Sequence, residues 1–202
     1  MGLSGSLGYA ARYVWDGLRG RRGRDAANGL GNLTRKARWF WPLAIALLVA
    51  DCATKRVVES HLAVGEPQPV VGDVVRFTLS YNDAAAMGIS LGGHSRLLLT
   101  VLSLVALFIL GVLYHRTRAA ERLRTIGVAL IIGGAAGNLL DRLRSATGVV
   151  DFIDVGVRNV RFWTFNIADV GITAGAFMLL IAMGRWRRKE QGTVAPRGLS
   201  PS

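Results

Sequence analysis

Phe165-Asn-Ile-Ala-Asp169-Val-Gly-Ile-Thr-Ala-Gly-Ala-Phe-Met-Leu-Leu-Ile-Ala-Met-Gly184 is a long apolar run whose single charge stands near its leading edge. Coiled as a helix at about 1.5 Å per residue, such a run covers the roughly 30 Å of bilayer hydrocarbon. A carboxylate at that edge is costly, and a second one, Asp151 in Val149-Val-Asp-Phe-Ile-Asp154, falls at the same expected boundary. Two carboxylates aimed at one membrane boundary point to chemistry rather than packing.

Working outward, the chain has 202 residues, 51% hydrophobic and only 19% charged, with mean hydropathy +0.35. That is too apolar for an ordinary soluble domain and makes a membrane protein the first expectation. Uncharged runs predict four spans, about residues 39–58, 97–114, 123–141 and 165–184. The uncharged stretch Thr125–Leu140 is short for a span, so Asp141 and Arg142 are expected near the interface. The fold class that follows is an all-α membrane protein, a four-transmembrane-helix bundle with a small extracytoplasmic β-rich loop region.

The formal net charge of +12 is concentrated in flanks, between Arg12 and Arg38, between Arg116 and Arg124, and from Arg185 onward. With four spans these flanks share one side, and the positive-inside rule makes it cytoplasmic. Loops 60–95 and 142–164 then face outward. Anionic lipid headgroups account for the basic flanks, and no nucleic-acid motif accompanies them. Residues 1–38 read as a mobile basic cytoplasmic extension, 39–184 as the four-span domain and 185–202 as a basic cytoplasmic tail.

Residues 20–52 imitate a cleavable leader, with a basic stretch, an apolar run and then Cys52. Asp51 ahead of the cysteine and three further spans argue against cleavage. Cys52 is the only cysteine and reads as a small buried side chain. The outer loop Glu66–Met87 places β-branched and aromatic residues around Gly72-Asp73, which predicts a short hairpin or small sheet lying on the membrane. It suits contact with lipid or an extended peptide, and equally a structural lid.

Among polar residues near the membrane, Asp51 and Lys55 are four apart on one helical face and can pair, either as an interfacial ion pair or in support of a site. Gly133 with Gly137, and Gly171 with Gly175, have the spacing of closely packed membrane helices. Asn138 with Arg142, and Asn166 with Asp169, fall on shared faces at the outer boundary. His61, His94 and His115 lie in loop or boundary contexts, and metal-ligand spacing is absent. Two carboxylates with amide neighbours can share a proton, one acting as general base on water while the other polarises a scissile carbonyl. Proton or cation translocation competes with peptide hydrolysis on these residues alone, and a structural scaffold is a third reading.

Asp51 with Lys55, Asn82 in Tyr81-Asn-Asp-Ala-Ala-Ala-Met87, Gly137-Asn-Leu-Leu-Asp-Arg142, Gly148-Val-Val-Asp-Phe152 and Phe165-Asn-Ile-Ala-Asp169 together resemble the lipoprotein signal peptidases, or signal peptidase II. The resemblance covers roughly residues 39–184. It implies an aspartic endopeptidase of the bacterial inner membrane that removes signal peptides from prolipoproteins by cutting before a diacylglyceryl-modified cysteine. It implies Asp151 and Asp169 as the catalytic pair, with Asn82, Asn138, Arg142, Asn166, Asp51, Lys55 and Asp141 in binding or supporting roles, and Arg142 holding substrate carbonyls. Asp141 fits a structural role, and Asp154 matches no motif and is expected in solvated loop. No cofactor or metal is implied. The partners implied are the lipidated prolipoprotein and membrane phospholipid, with no nucleic acid, and the chain is read as a monomer. Where the family pattern is Asn-x-Gly-Ala-Ala-Phe, this chain has Asn82-Asp-Ala-Ala-Ala-Met87.

Overall fold

The computed structural model describes residue 31, residues 35–82 and residues 95–193, with side chains as far as Arg185. The basic extension up to residue 30, residues 83–94 with His94 and the stretch to Met87, and the tail from residue 194 lie outside the described residues. Helix α1 covers residues 35–61, followed by α2 (Ser95–Arg116), α3 (Arg122–Arg144) and α4 (Ile167–Thr193). Among the described residues, three segments, Ser95–Arg116, Arg122–Arg144 and Ile167–Arg185, are long and apolar enough to cross a membrane. None of the most apolar stretch of α2 is buried inside the protein. Leu97, Leu102, Phe108 and Ile109 point outward from it, as suits a helix solvated by lipid rather than water.

Helix α3 is the centre of the bundle. Glycine weakens a water-exposed helix by up to about 1 kcal/mol, but here it lets backbones meet. A Cβ at Gly133 would lie 2.6 Å from the Ala44 carbonyl of α1, and one at Gly127 would lie 2.9 Å from the Gly175 carbonyl of α4. Gly134 is closed by the Ala168 carbonyl, and Gly171 by Leu47 of α1. Both glycine pairs sit at close helix contacts: Gly133 and Gly137 both meet α1, whereas Gly171 meets α1 and Gly175 meets α3. Phe40 and Ala44 of α1 pack with Val128 and Ala129 of α3, flanked by Leu113 and Tyr114 of α2.

One end of this bundle is tied by Lys36, whose ammonium donates to the Tyr114, His115 and Thr117 carbonyls at 2.8, 3.2 and 3.3 Å. A cation on the last carbonyls of α2 suits the negative end of its dipole. At the opposite end Arg96 Nε donates to the Arg142 carbonyl at 2.8 Å, joining the start of α2 to the end of α3.

At this second end sits an antiparallel sheet in the order β1 (Pro67–Val71), β2 (Val75–Asn82), β3 (Val149–Val157), β4 (Val160–Arg161). The hairpin around Gly72-Asp73 forms as read, with Gly72 at φ +52°. The sheet is wider than expected, because the loop after α3 supplies β3 and β4. The molecule is thus mostly helical with a small four-stranded antiparallel sheet, the β-rich region expected beside the helices. Leu79, Val150 and Phe152 of the sheet pack against Val58 of α1, with Ile167 of α4 alongside. This cluster seats the sheet on the helix ends.

Candidate functional site

Asn166 immediately precedes α4, and its geometry follows from helix capping. Its side-chain oxygen accepts the Asp169 N–H at 2.9 Å, and Asp169 Oδ2 in return accepts the Asn166 N–H at 3.3 Å. This is a reciprocal capping box, with aspartate in the third helical position. Because Oδ1 is committed to an N–H donor, the Asn166 amide nitrogen must face the other way. There it donates to Asp151 Oδ1 at 2.7 Å, with the Val150 carbonyl at 3.2 Å and Asn138 Oδ1 at 3.1 Å also in reach.

Asn138 is oriented by a comparable constraint. Lys55 Nζ, a donor with no acceptor capacity, lies 2.9 Å from Asn138 Oδ1. The Asn138 amide nitrogen is thereby turned to Asp169 Oδ1, to which it donates at 2.8 Å. The Lys55 ammonium also sits 2.7 Å from Asp51 Oδ2 and 2.7 Å from Asp141 Oδ2. Asp51 is fully buried, and its other oxygen accepts the Ala168 N–H at 2.9 Å. Gly137 makes room for this ion pair, since a Cβ there would lie 2.5 Å from Asp51 Oδ2. Asp141 Oδ2 accepts the Val150 N–H at 3.3 Å, tying β3 to α3. The Asp51–Lys55 pair forms and is buried, with the ammonium on Asn138 as well.

Asp151 sits in β3 at 2% exposure, with Asn82 Nδ2 donating to its Oδ2 at 3.1 Å. Burial, reinforced by the nearby charge of Asp169 and opposed by the amide hydrogen bonds, raises its carboxyl to about 6. Arg142 is half-buried, donates to the Asn138 carbonyl at 3.3 Å and lies in the field of Asp169, Asp151 and Asp141. All nine residues singled out from the sequence therefore join one connected cluster. Among the described residues, no group of three His, Cys, Asp or Glu side chains is arranged to hold a metal ion.

Asp154 is a correction. Expected in solvated loop, it is 5% exposed and forms ion pairs with Arg76 and Arg161 at 2.9 and 2.7 Å. Burial works against its charge, but hydrogen bonds from Arg161, Arg76 and Thr78 hold the carboxyl below the usual range. The density of β-branched and aromatic residues through Val149–Val157 was the available signal that this stretch is a strand.

Residues 43–185 match the family described as signal peptidase (SPase) II. The chain belongs to the lipoprotein signal peptidase family. It is 34% identical over 156 residues to the lipoprotein signal peptidase of Coxiella burnetii (strain Dugway 5J108-111), covering 75% of this chain and 94% of that one. It is 36% identical over 145 residues to that of Enterobacter sp. (strain 638), covering 71% and 86%. A solved structure described as a bacterial membrane enzyme shares the fold with a TM-score of 0.65, at 24% identity, covering 78% of this chain and 92% of that one. As a signal peptidase II, the protein is a protease of the inner membrane, and its substrates are prolipoproteins, from which it removes the signal peptide.

Proposed function

We propose that this signal peptidase II is an aspartic endopeptidase in which Asp151 and Asp169 act on a water molecule and the scissile carbonyl just before the lipidated cysteine. The observation that carries the reading is Asn166, which donates its side-chain amide to one carboxylate and its backbone N–H to the other. Asp169 stands in the first turn of α4 with two N–H donors on its oxygens, a setting that suits an anionic general base. Asp151, raised to about 6, is the member that holds the shared proton and polarises the carbonyl. As the tetrahedral intermediate collapses, the proton taken by Asp169 passes to the leaving amine and Asp151 recovers its own. Arg142, a fork of fixed donors beside both carboxylates, is proposed to hold a substrate backbone carbonyl.

The same proposal takes α1 as the fourth span of a domain covering residues 39–184. Its charges Asp51 and Lys55 are neutralised within the protein, and its first turns are tied to the end of α2. Alternating spans then put the basic flanks of residues 1–38, 116–124 and 185–202 in the cytoplasm and the sheet and dyad at the extracytoplasmic boundary. Exposed Phe162 and Trp163, just before α4, suit that interface. A site at that depth meets a lipidated cysteine held in the outer leaflet by its acyl chains, and phospholipid surrounds the monomer.

Gel-shift cleavage of a diacylglyceryl-modified prolipoprotein by the purified protein tests the dyad. Asp151→Asn and Asp169→Asn are each expected to lose cleavage by at least about a thousandfold. Full cleavage by either variant overturns the aspartic mechanism, and flux of protons in its place would revive a carrier.

A further inference from the structure

The pairing of β2 with β3 changes phase just beside Asp151. Val75, Arg76 and Phe77 face Val155, Asp154 and Ile153, whereas Ser80, Tyr81 and Asn82 face Asp151, Val150 and Val149. Thr78 and Leu79 therefore oppose Phe152 together, a β-bulge with one extra residue in β2. Without that residue, Leu79 and Tyr81 would take the places opposite Asp151 and Val149, and Asn82 would turn to the other face of the sheet. The hydrogen bond from Asn82 to Asp151 thus depends on the bulge.

The bulge is held by one carboxylate. Asp154 Oδ2 accepts from Thr78 Oγ1 at 3.1 Å and from Arg76 Nε and Nη2 at 3.0 and 2.9 Å. Its Oδ1 accepts from Arg161 Nε at 2.7 Å, and its carbonyl accepts from Arg161 Nη2 at 3.1 Å. Arg161 also donates to the Asp73 carbonyl at 2.6 Å, and the Asp73 carboxylate takes the Arg158 N–H at 2.9 Å. A hydroxyl inside the bulge, the arginine before it, the strand bearing Asp151 and the β1–β2 turn all converge on this group.

We infer that Asp154 is a positioning residue for the cleavage reaction, fixing the bulge at Thr78 so that β2 delivers Asn82 to Asp151. The inference rests on the aspartic reading above and extends it to a residue outside the cluster around the two carboxylates. Asp154 touches no reacting group. The charged groups that face it are Arg76, Arg161 and Asp73, whereas those that face Asp151 are Asp169 on α4, Lys55 on α1 and Arg142 on α3. Releasing the clasp therefore alters Asp151 through Asn82 alone. Loss of that donor disfavours ionised Asp151, so the pH limb that Asp151 sets moves upward.

The test measures prolipoprotein cleavage from about pH 5 to 9 by full-length Asp154→Asn and Thr78→Val, alone and combined with Asn82→Ala. Asp154→Asn is expected to lower kcat about tenfold with KM within about twofold, and to move the limb up by about one pH unit, the size of one charge-assisted hydrogen bond. Thr78→Val, which deletes a single hydroxyl, is expected to do the same to about a third of that extent. Neither is expected to move the limb further once Asn82→Ala is present, because all act through one contact. Should Asp154→Asn fail to accumulate folded, Thr78→Val decides alone. Wild-type limbs in the folded variants, or shifts that add fully to that of Asn82→Ala, overturn the inference. Retained cleavage by Asp151→Asn would instead overturn the dyad itself.

Discussion

Replacing Asp151 with asparagine should make the protein more stable while it removes activity. The Asp151 carboxyl rises from an ordinary 3.8 to about 6 because the folded protein buries it beside Asp169. A raised folded value means that the stabilising contribution is complete below pH 3.8 and is lost as pH rises to about 6, where the buried group ionises. At pH 7.5 the wild type carries that penalty in full, and at about 1.36 kcal/mol per unit it amounts to on the order of 3 kcal/mol. Asparagine has the shape of the protonated acid and never ionises, so Asp151→Asn escapes the penalty. Unfolding followed by tryptophan fluorescence in detergent is expected to show the variant melting roughly 6–12 °C above wild type at pH 7.5. The difference should shrink through pH 6 and vanish near pH 4. A variant no more stable than wild type at pH 7.5, or one whose advantage is the same at pH 4, would refute the raised value of the Asp151 carboxyl.

The Lys55 ammonium separates two carboxylates, so Lys55→Met should leave Asp51 and Asp141 buried without a counter-charge and destabilise the fold by about 3–5 kcal/mol; recovery of folded yield in Lys55→Met with Asp51→Asn and Asp141→Asn is the expected rescue, read by detergent size-exclusion, and equal yields of single and triple variants would refute the ion-pair account. A Cβ at Gly134 runs into the Ala168 carbonyl at the head of α4, whereas one at Gly111 meets nothing within 4 Å. Gly134→Ala is therefore expected to lower stability by about 1–3 kcal/mol and Gly111→Ala to leave it unchanged, with matched losses in both refuting the close α3–α4 contact.

Helices α2, α3 and α4 were legible because each holds a long apolar run closed by charges. Part of the cluster was legible in composition because Asn138, Asp141 and Arg142 lie near the end of α3 and Asn166 and Asp169 at the start of α4, where residues three or four apart share a face by local geometry. Strand β3 was not. Val149, Val150, Phe152, Ile153 and Val155 form a nearly continuous apolar stretch without clean alternation, which is how a strand covered on both faces reads. Its pairing is also non-local. Asn82 reaches Asp151 across 69 positions, and Arg76 reaches Asp154 across 78. No window along the chain contains both members of either pair, so Asp154 looked unpartnered.

What the sequence withheld most completely is direction. Asparagine is symmetric in size, and nothing in Asn138 or Asn166 as letters tells which end of either amide meets a carboxylate. The fold settles both through groups of fixed polarity. Lys55 can only donate, so Asn138 must turn its nitrogen to Asp169; the Asp169 N–H can only donate, so Asn166 must turn its nitrogen to Asp151. A lysine in the middle of α1 and one backbone N–H in the first turn of α4 thereby ensure that both carboxylates face donors before any substrate arrives. On the aspartic reading proposed above, the Asp51–Lys55–Asp141 group supports the site in this way: it holds the ammonium where it orients the amide, and the amide faces the acid.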